Sequence, residues 1–308
     1  MNDHAWSLTR HLLHALRAQP RGQTVADLAT RARLDLPAPP GDPAPIDAWL
    51  DHLERSGAVE RDGAIVRAAR APRTLSLRPY QLVPVRERLV AALPTPRAPR
   101  RGWQLAPQLD PTAGVLAVPT LRLRPDYQLV AYAYRDGRLC SAKVWAMPHD
   151  LHAPPPAGLP TLDLGPLAVP RPPGALDDAL AAIETDGTPL AAAHLWLLGM
   201  AFDDLGTLGA GSGWASHELL FDAPWRWQGD GLQRPSPTEA WTWTTPPPGE
   251  WGPRLDVLGS GAMVLTVHTW SGLGTERVER HTVNLRADGQ PRATRREVLG
   301  TSTGGLSL

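Results

Sequence analysis

IDAWLDHLERSGAVERDGAIV, residues 46–66, holds a helix, its stop and a hairpin in one run. Ile46, Trp49, Leu50 and Leu53 recur at the three- and four-residue spacing that gathers side chains on one helix face. Ser56-Gly57 ends the pattern, because glycine takes the left-handed conformation that closes a helix without a Cβ clash. Residues 58–61 and 64–67 flank Asp62-Gly63, which predicts two short strands around a tight turn.

Two more helices precede this run. Ser7 is an N-cap candidate, and Leu8, Leu12, Leu13 and Leu16 follow at helical spacing until Pro20. Thr24 caps a second helix over 25–32, with Val25, Leu28 and Ala29 on one face. Three helices followed by a hairpin is the element order of a winged helix. The phrase TVADLAT (24–30) and the run 46–66 resemble helix 2, helix 3 and wing of bacterial regulators in the winged-helix superfamily. The resemblance covers residues 1–75 and implies a DNA-associated regulator, although winged helices also serve as protein-contact modules.

Two features depart from a DNA-reading unit. Residues 33–43 swell the turn before helix 3, where a DNA-binding helix-turn-helix uses a few residues. The outward face of helix 3 offers Asp47, Asp51 and His52, with no arginine before Arg55. Carboxylates there would be repelled by phosphates, whereas base readers are commonly Arg, Lys, Asn, Gln or Ser. The expected DNA contacts are therefore Arg61 and Arg67 on the wing, then Arg70, Arg73, Arg78, Arg97, Arg100 and Arg101.

Charge along the chain gives those arginines their interest. The formal net charge is zero, yet residues 67–143 carry 13 arginines and Lys143 against four acids, whereas 144–308 carry 10 arginines against 18 acids. Such asymmetry fits polyanion contact, and fits equally a basic middle facing an acidic remainder within one fold. Lys143 stands alone beside 30 arginines, a skew that describes GC-rich codons better than chemistry. Cys140 is the single cysteine, so no intrachain disulfide or cysteine-based zinc site can form. No basic-then-apolar leader opens the sequence, and the apolar run 189–202 is too short to span a bilayer, so a cytoplasmic chain with no membrane partner is expected.

Residues 76–308 are expected to form an α+β domain with a mainly antiparallel, tryptophan-rich sheet and a candidate internal boundary in the Pro/Gly-rich stretch 153–174. Helices are expected at 84–93, 175–184 and 189–202, and strands at 114–123, 127–134, 139–147, 263–270, 278–285 and 293–299. Trp225/Trp227 and Trp241/Trp243 form two W-x-W pairs, each placing both rings on one strand face. They read as sheet core, or alternatively as an aromatic platform for a ligand.

Catalytic signals are thin. Ser212, Ser216, His217 and Glu218 lie near Asp203, Asp204 and Asp222 in sequence, but no GxSxG elbow occurs. His149 and His152 lack a clear third metal ligand, and the glycine cluster 206–213 holds no lysine for a phosphate-cradling loop. No catalytic residue, metal or cofactor is assigned. The leading expectation is a DNA-associated, non-enzymatic protein with a C-terminal ligand-binding or dimerisation domain, its candidate partners being duplex DNA and a second copy of the chain. A protein-interaction scaffold without nucleic-acid binding is the alternative, and a hydrolase on the C-terminal domain comes third.

Overall fold

Leu8, Leu12, Leu13 and Leu16 line one face of α1 (Asp3–Arg17), buried against Leu28, Leu50, Leu53 and Val66. The computed structural model describes residues 3–19, 21–35, 46–93, 102–106, 109–136, 139–151, 171–205, 217–222, 241–271, 275–287 and 289–302. After α1 come β1 (Gln23–Thr24), α2 (Val25–Asp35), α3 (Ile46–Arg55), β2 (Val59–Asp62) and β3 (Ile65–Ala68). β1 joins the hairpin to make a sheet of order β1-β3-β2, so the small core is closed by helices on one side and strands on the other. Thr24 caps α2 reciprocally: its Oγ1 accepts from the Asp27 backbone at 3.1 Å, and the Asp27 carboxylate accepts from the Thr24 hydroxyl at 2.7 Å.

The hairpin sits one residue later than expected. Asp62 pairs with Ile65, so the two turn residues are Gly63 and Ala64, and only Gly63 takes a positive φ, 58°. Glycine at the first of two turn positions is the II′ arrangement, which displaces the anticipated Asp-Gly pair. Gly57 closes α3 at φ 71°, and a Cβ there would lie 2.5 Å from Leu75 Cδ1.

The chain then enters the larger body through β4 (Arg73–Ser76) and α4 (Pro79–Ala92). α4 starts five residues before the expected Pro84. Pro79 takes its first position, and Pro84 is tolerated inside because it removes one early hydrogen bond while Leu82, Val85 and Leu89 remain buried. β5 (Gly102–Leu105), α5 (Pro111–Leu116), β6 (Leu121–Leu123), β7 (Tyr127–Asp136) and β8 (Leu139–Pro148) follow. The expected strand from 114 is helical up to Leu116, since the Asp110 side chain accepts from Thr112 N at 2.9 Å and Pro111 starts the helix. β7 and β8 pair along their whole length and β5 adds to β7. Instead of a helix at 175–184, a 3-10 turn (Ala179–Ala182) leads to β9 (Ile183–Thr185), which pairs with β6.

α6 (Pro189–Asp204) is capped by Thr188, whose side chain accepts from Ala191 N. Pro189 through Leu198 are buried without a break, and the helix packs against α4, α5, β6, β8, β9 and β12 (Arg254–Val257). β10 (Glu218–Leu219), β11 (Trp241–Trp243), β13 (Met263–Ser271), β14 (Glu276–Leu285) and β15 (Pro291–Ser302) complete the strands. The large sheet runs β11-β15-β14-β13-β12-β4, with β10 on the end of β13. β15 pairs with β11 only through Gly300–Ser302. All strand pairs among the described residues are antiparallel, and the chain is α+β. Among the described residues no helix is long and apolar enough to cross a membrane. The Pro/Gly-rich segment 153–170 lies outside the described residues.

His194 on α6 is buried, with Nδ1 2.8 Å from Thr120 Oγ1 and Nε2 3.1 Å from Gln81 O. Burial pushes its imidazole down to about 4, so the folded chain holds the neutral ring. A group depressed on folding gives stability that is complete above its unfolded value and is lost as pH falls toward the folded one. Urea unfolding should lose about 2 kcal/mol through His194 between roughly pH 7.5 and pH 5. His194→Gln should flatten that part of the slope. An unchanged slope would show that the ring is not held neutral.

Candidate functional site

The expected arginine track is divided among different tasks. Arg61 Nη2 lies 3.0 Å from Asp47 Oδ1, and its Nη1 lies 3.7 Å from Asp51 Oδ1, so one wing guanidinium bridges both aspartates of α3. Arg67 Nε donates to Arg21 O at 3.2 Å. Arg73 is half-buried and donates to Arg70 O at 2.7 Å and to Gly57 O. Burial lowers its guanidinium below the ordinary arginine range. Arg70 is exposed, and Arg78, also exposed, precedes α4 beside a groove. Arg97, Arg100 and Arg101 lie outside the described residues.

The N-terminal unit is also fastened to the body. Arg17 Nη2 donates to Gly187 O at 3.0 Å, and Arg10 Nη1 lies 3.7 Å from Glu184 Oε2. The Trp6 ring takes the guanidinium carbons of Arg10 at 4.8 Å and Arg122 at 5.5 Å. From α3, Arg55 O accepts from Gln81 Nε2 at 3.0 Å, and His52 Nε2 stands 3.8 Å from fully buried Asp186 Oδ2. Asp186 Oδ1 accepts from the backbone and hydroxyl of Thr188, tying that contact to the start of α6. α3 therefore turns His52 toward the body and leaves Asp47, Ala48, Asp51, Glu54 and Arg55 exposed.

Trp241 and Trp243 share one face of β11, stacked at 5.7 Å between centroids and 26° between planes. Trp243 lies on Gly300, where a Cβ would come within 2.7 Å of the indole, and meets Trp251 at 6.1 Å. Leu220, Val278, Leu299 and Trp270 complete this second core, on the sheet face opposite α6. Trp225 and Trp227 lie outside the described residues. Next to the cluster, a groove of about 640 Å³ runs between Ser76–Pro79, Phe221–Asp222 and Pro248–Arg254. Buried Trp251 lines it, while Arg78, Asp222, Glu250 and Arg254 stand exposed along it.

A relay for hydrolysis is not assembled among the described residues. Thr269 Oγ1 at 2.9 Å and Glu279 Oε2 at 3.7 Å both approach His281 Nε2, whereas a triad needs nucleophile and acid on opposite ring nitrogens. Burial pushes His281 down to about 4. His217 faces Glu279 and Arg296, and Ser212 and Ser216 lie outside the described residues, as does His152. Among the described residues no three His, Cys, Asp or Glu side chains are grouped to hold a metal ion. The sequence reading missed the meeting of Arg277, Glu279 and Arg296, although the alternation Arg277-Val278-Glu279-Arg280-His281 does mark a polar strand face.

Comparison with protein-family models, with curated proteins and with solved structures finds no match for this chain.

The tryptophan pair is testable as core. Trp243→Ala should lower stability by about 2–4 kcal/mol, a discount on full burial because the ring is half-buried. It should also abolish the exciton couplet that two stacked indoles give in far-ultraviolet circular dichroism. Loss of the couplet with an unchanged melting temperature would identify the pair as a platform instead.

Proposed function

We propose that the chain is a non-enzymatic protein-interaction scaffold whose N-terminal unit, of winged-helix type, contacts protein and does not read duplex DNA through α3. The supporting observation is the double ion pair of Arg61 with Asp47 and Asp51. It spends the foremost wing cation on the chain's own carboxylates and leaves Asp47, Asp51 and Glu54 as the exposed acids of α3. A phosphate backbone approaching this face meets like charge at short range, whereas a basic protein surface meets complementary charge. The fastening of α1 to the corner Glu184–Gly187, with the donation of Gln81 to Arg55 O of α3, adds to the case, because it commits part of the unit to intramolecular contacts.

A second reading keeps DNA, with the wing edge as the contact. It is favoured by exposed Arg70 and by Arg67, which is held beside Arg21. One titration separates the two. At low ionic strength and micromolar protein, the scaffold reading expects no mobility shift of duplex DNA. A shifted complex that weakens with salt, and weakens further in Arg67→Ala/Arg70→Ala, would overturn it. Asp47→Asn/Asp51→Asn should leave the absence of DNA binding unchanged and should reduce retention on an immobilised polylysine surface by about tenfold.

A further inference from the structure

The acidic C-terminal half has a cationic place of its own. Six of its ten arginines fall between residues 277 and 296, on the β14–β15 hairpin. On β14, alternate residues Arg277, Glu279 and His281 share a face, and the register sets Arg296 opposite His281. Glu279 is 2% exposed. Its Oε1 meets Arg277 Nε at 2.7 Å and Arg296 Nη2 at 2.8 Å, and its Oε2 meets Arg296 Nε at 2.7 Å. Burial alone would raise this carboxyl, but the hydrogen bonds and charge of Arg296, with the charge of Arg277, outweigh it and hold the group ionised.

One buried carboxylate is thus matched by two guanidiniums, leaving a positive charge in excess. The side chains of Arg277 and Arg296 remain 34% and 39% exposed. Glu279 accepts from Nε and Nη2 of Arg296 and pairs by charge with Arg277, whose Nε makes no hydrogen bond, while each guanidinium carries five N–H donors. His217 Nε2 stands 3.3 Å from Arg296 Nη2, and its carbonyl accepts from Arg86 Nη2 at 2.7 Å, which holds the His217 backbone at the border of the pair. On the other face of the hairpin, Arg280 and Arg295 both turn to Glu297, at 2.7 and 3.8 Å. The cations of the hairpin are thus split between its two faces and form no single track along the strand, which suits a small anion better than a nucleic-acid backbone.

We propose that Arg277 and Arg296, oriented by buried Glu279, form a binding site for a small oxyanion of the phosphate or carboxylate class. Arg296 is anchored at its inner edge by Glu279 and Arg277 is held beside the same carboxylate by charge, which leaves both forks with donors that can meet an oxyanion bidentately. The site is independent of the N-terminal unit and of the scaffold reading.

The test uses the full chain and thermal unfolding titrated with inorganic phosphate against sodium chloride at matched ionic strength, with a parallel sodium acetate arm. Phosphate is expected to raise the melting temperature saturably, and the acetate arm shows whether a planar carboxylate is held as well. Arg277→Ala should weaken the apparent affinity by about tenfold or more. Arg277→Lys, which keeps the charge and loses the fork, should weaken it too, while Arg295→Ala should leave it unchanged. Arg277→Lys also guards against misfolding of the alanine variant. No saturable shift beyond chloride for either anion, or equal affinity in wild type and both Arg277 variants, overturns the site and leaves the cluster as a structural ion network.

Discussion

α6 is apolar on every side and must be covered on every side, and the arrangement of the larger body follows from that requirement. A helix with one apolar face could lie on a surface, but Pro189 through Leu198 are buried in succession. The large sheet contributes Leu255, Leu265 and Val267 to the same core, and the β7–β8 ribbon contributes Ala142, Val144 and Ala146. α4 and α5 fill the remaining flanks. The helix start does a second task, since the turn that delivers the chain into α6 holds Gly187, to which Arg17 of α1 donates, and Asp186, which faces His52 of α3 at 3.8 Å. The position of the N-terminal unit is thus referred back to the most deeply buried element.

Arginine is the other organising theme. Counted along the sequence, the basic middle and acidic remainder suggested a polyanion or a mutual pairing. At the level of side chains, Arg73 binds carbonyls, Arg61 binds aspartates and Arg10 reaches Glu184 across the unit boundary. These contacts act over a few ångströms, so a block charge predicts little about which cation stays available. Arg277 and Arg296, in the acidic half, share one carboxylate and so keep more unspent charge than Arg61, whose guanidinium meets two.

The parts legible in the sequence were those specified locally. Leucine spacing in α1, the glycine stop after α3 and the apolar alternation of β13 and β14 each carry their own geometry, although α1 begins at Asp3, four residues ahead of the Ser7 cap that the sequence suggests. Errors arose where one capping group outweighed a longer pattern. Asp110 and Pro111 turn an apolar run into α5, and Asp178 starts a 3-10 turn where a helix was expected. Side-chain partners were illegible for a different reason. The union of Glu279 with Arg296 depends on the register of β14 against β15, including a shift between Val278 and Glu279, and no local pattern encodes that offset.

The short pairing of β15 with β11 has a consequence for colloidal behaviour. Beyond Gly300–Ser302 the outer margin of β15 has no strand beside it among the described residues, and a bare margin of this kind is a template for association between copies. Here that margin carries Arg292, Arg295 and Arg296, all exposed. Two copies meeting edge to edge would bring like charges into register and repel. Arginines on this margin would oppose edge-to-edge pairing of two copies by like-charge repulsion, and a ligand that cancelled their charge would weaken that opposition.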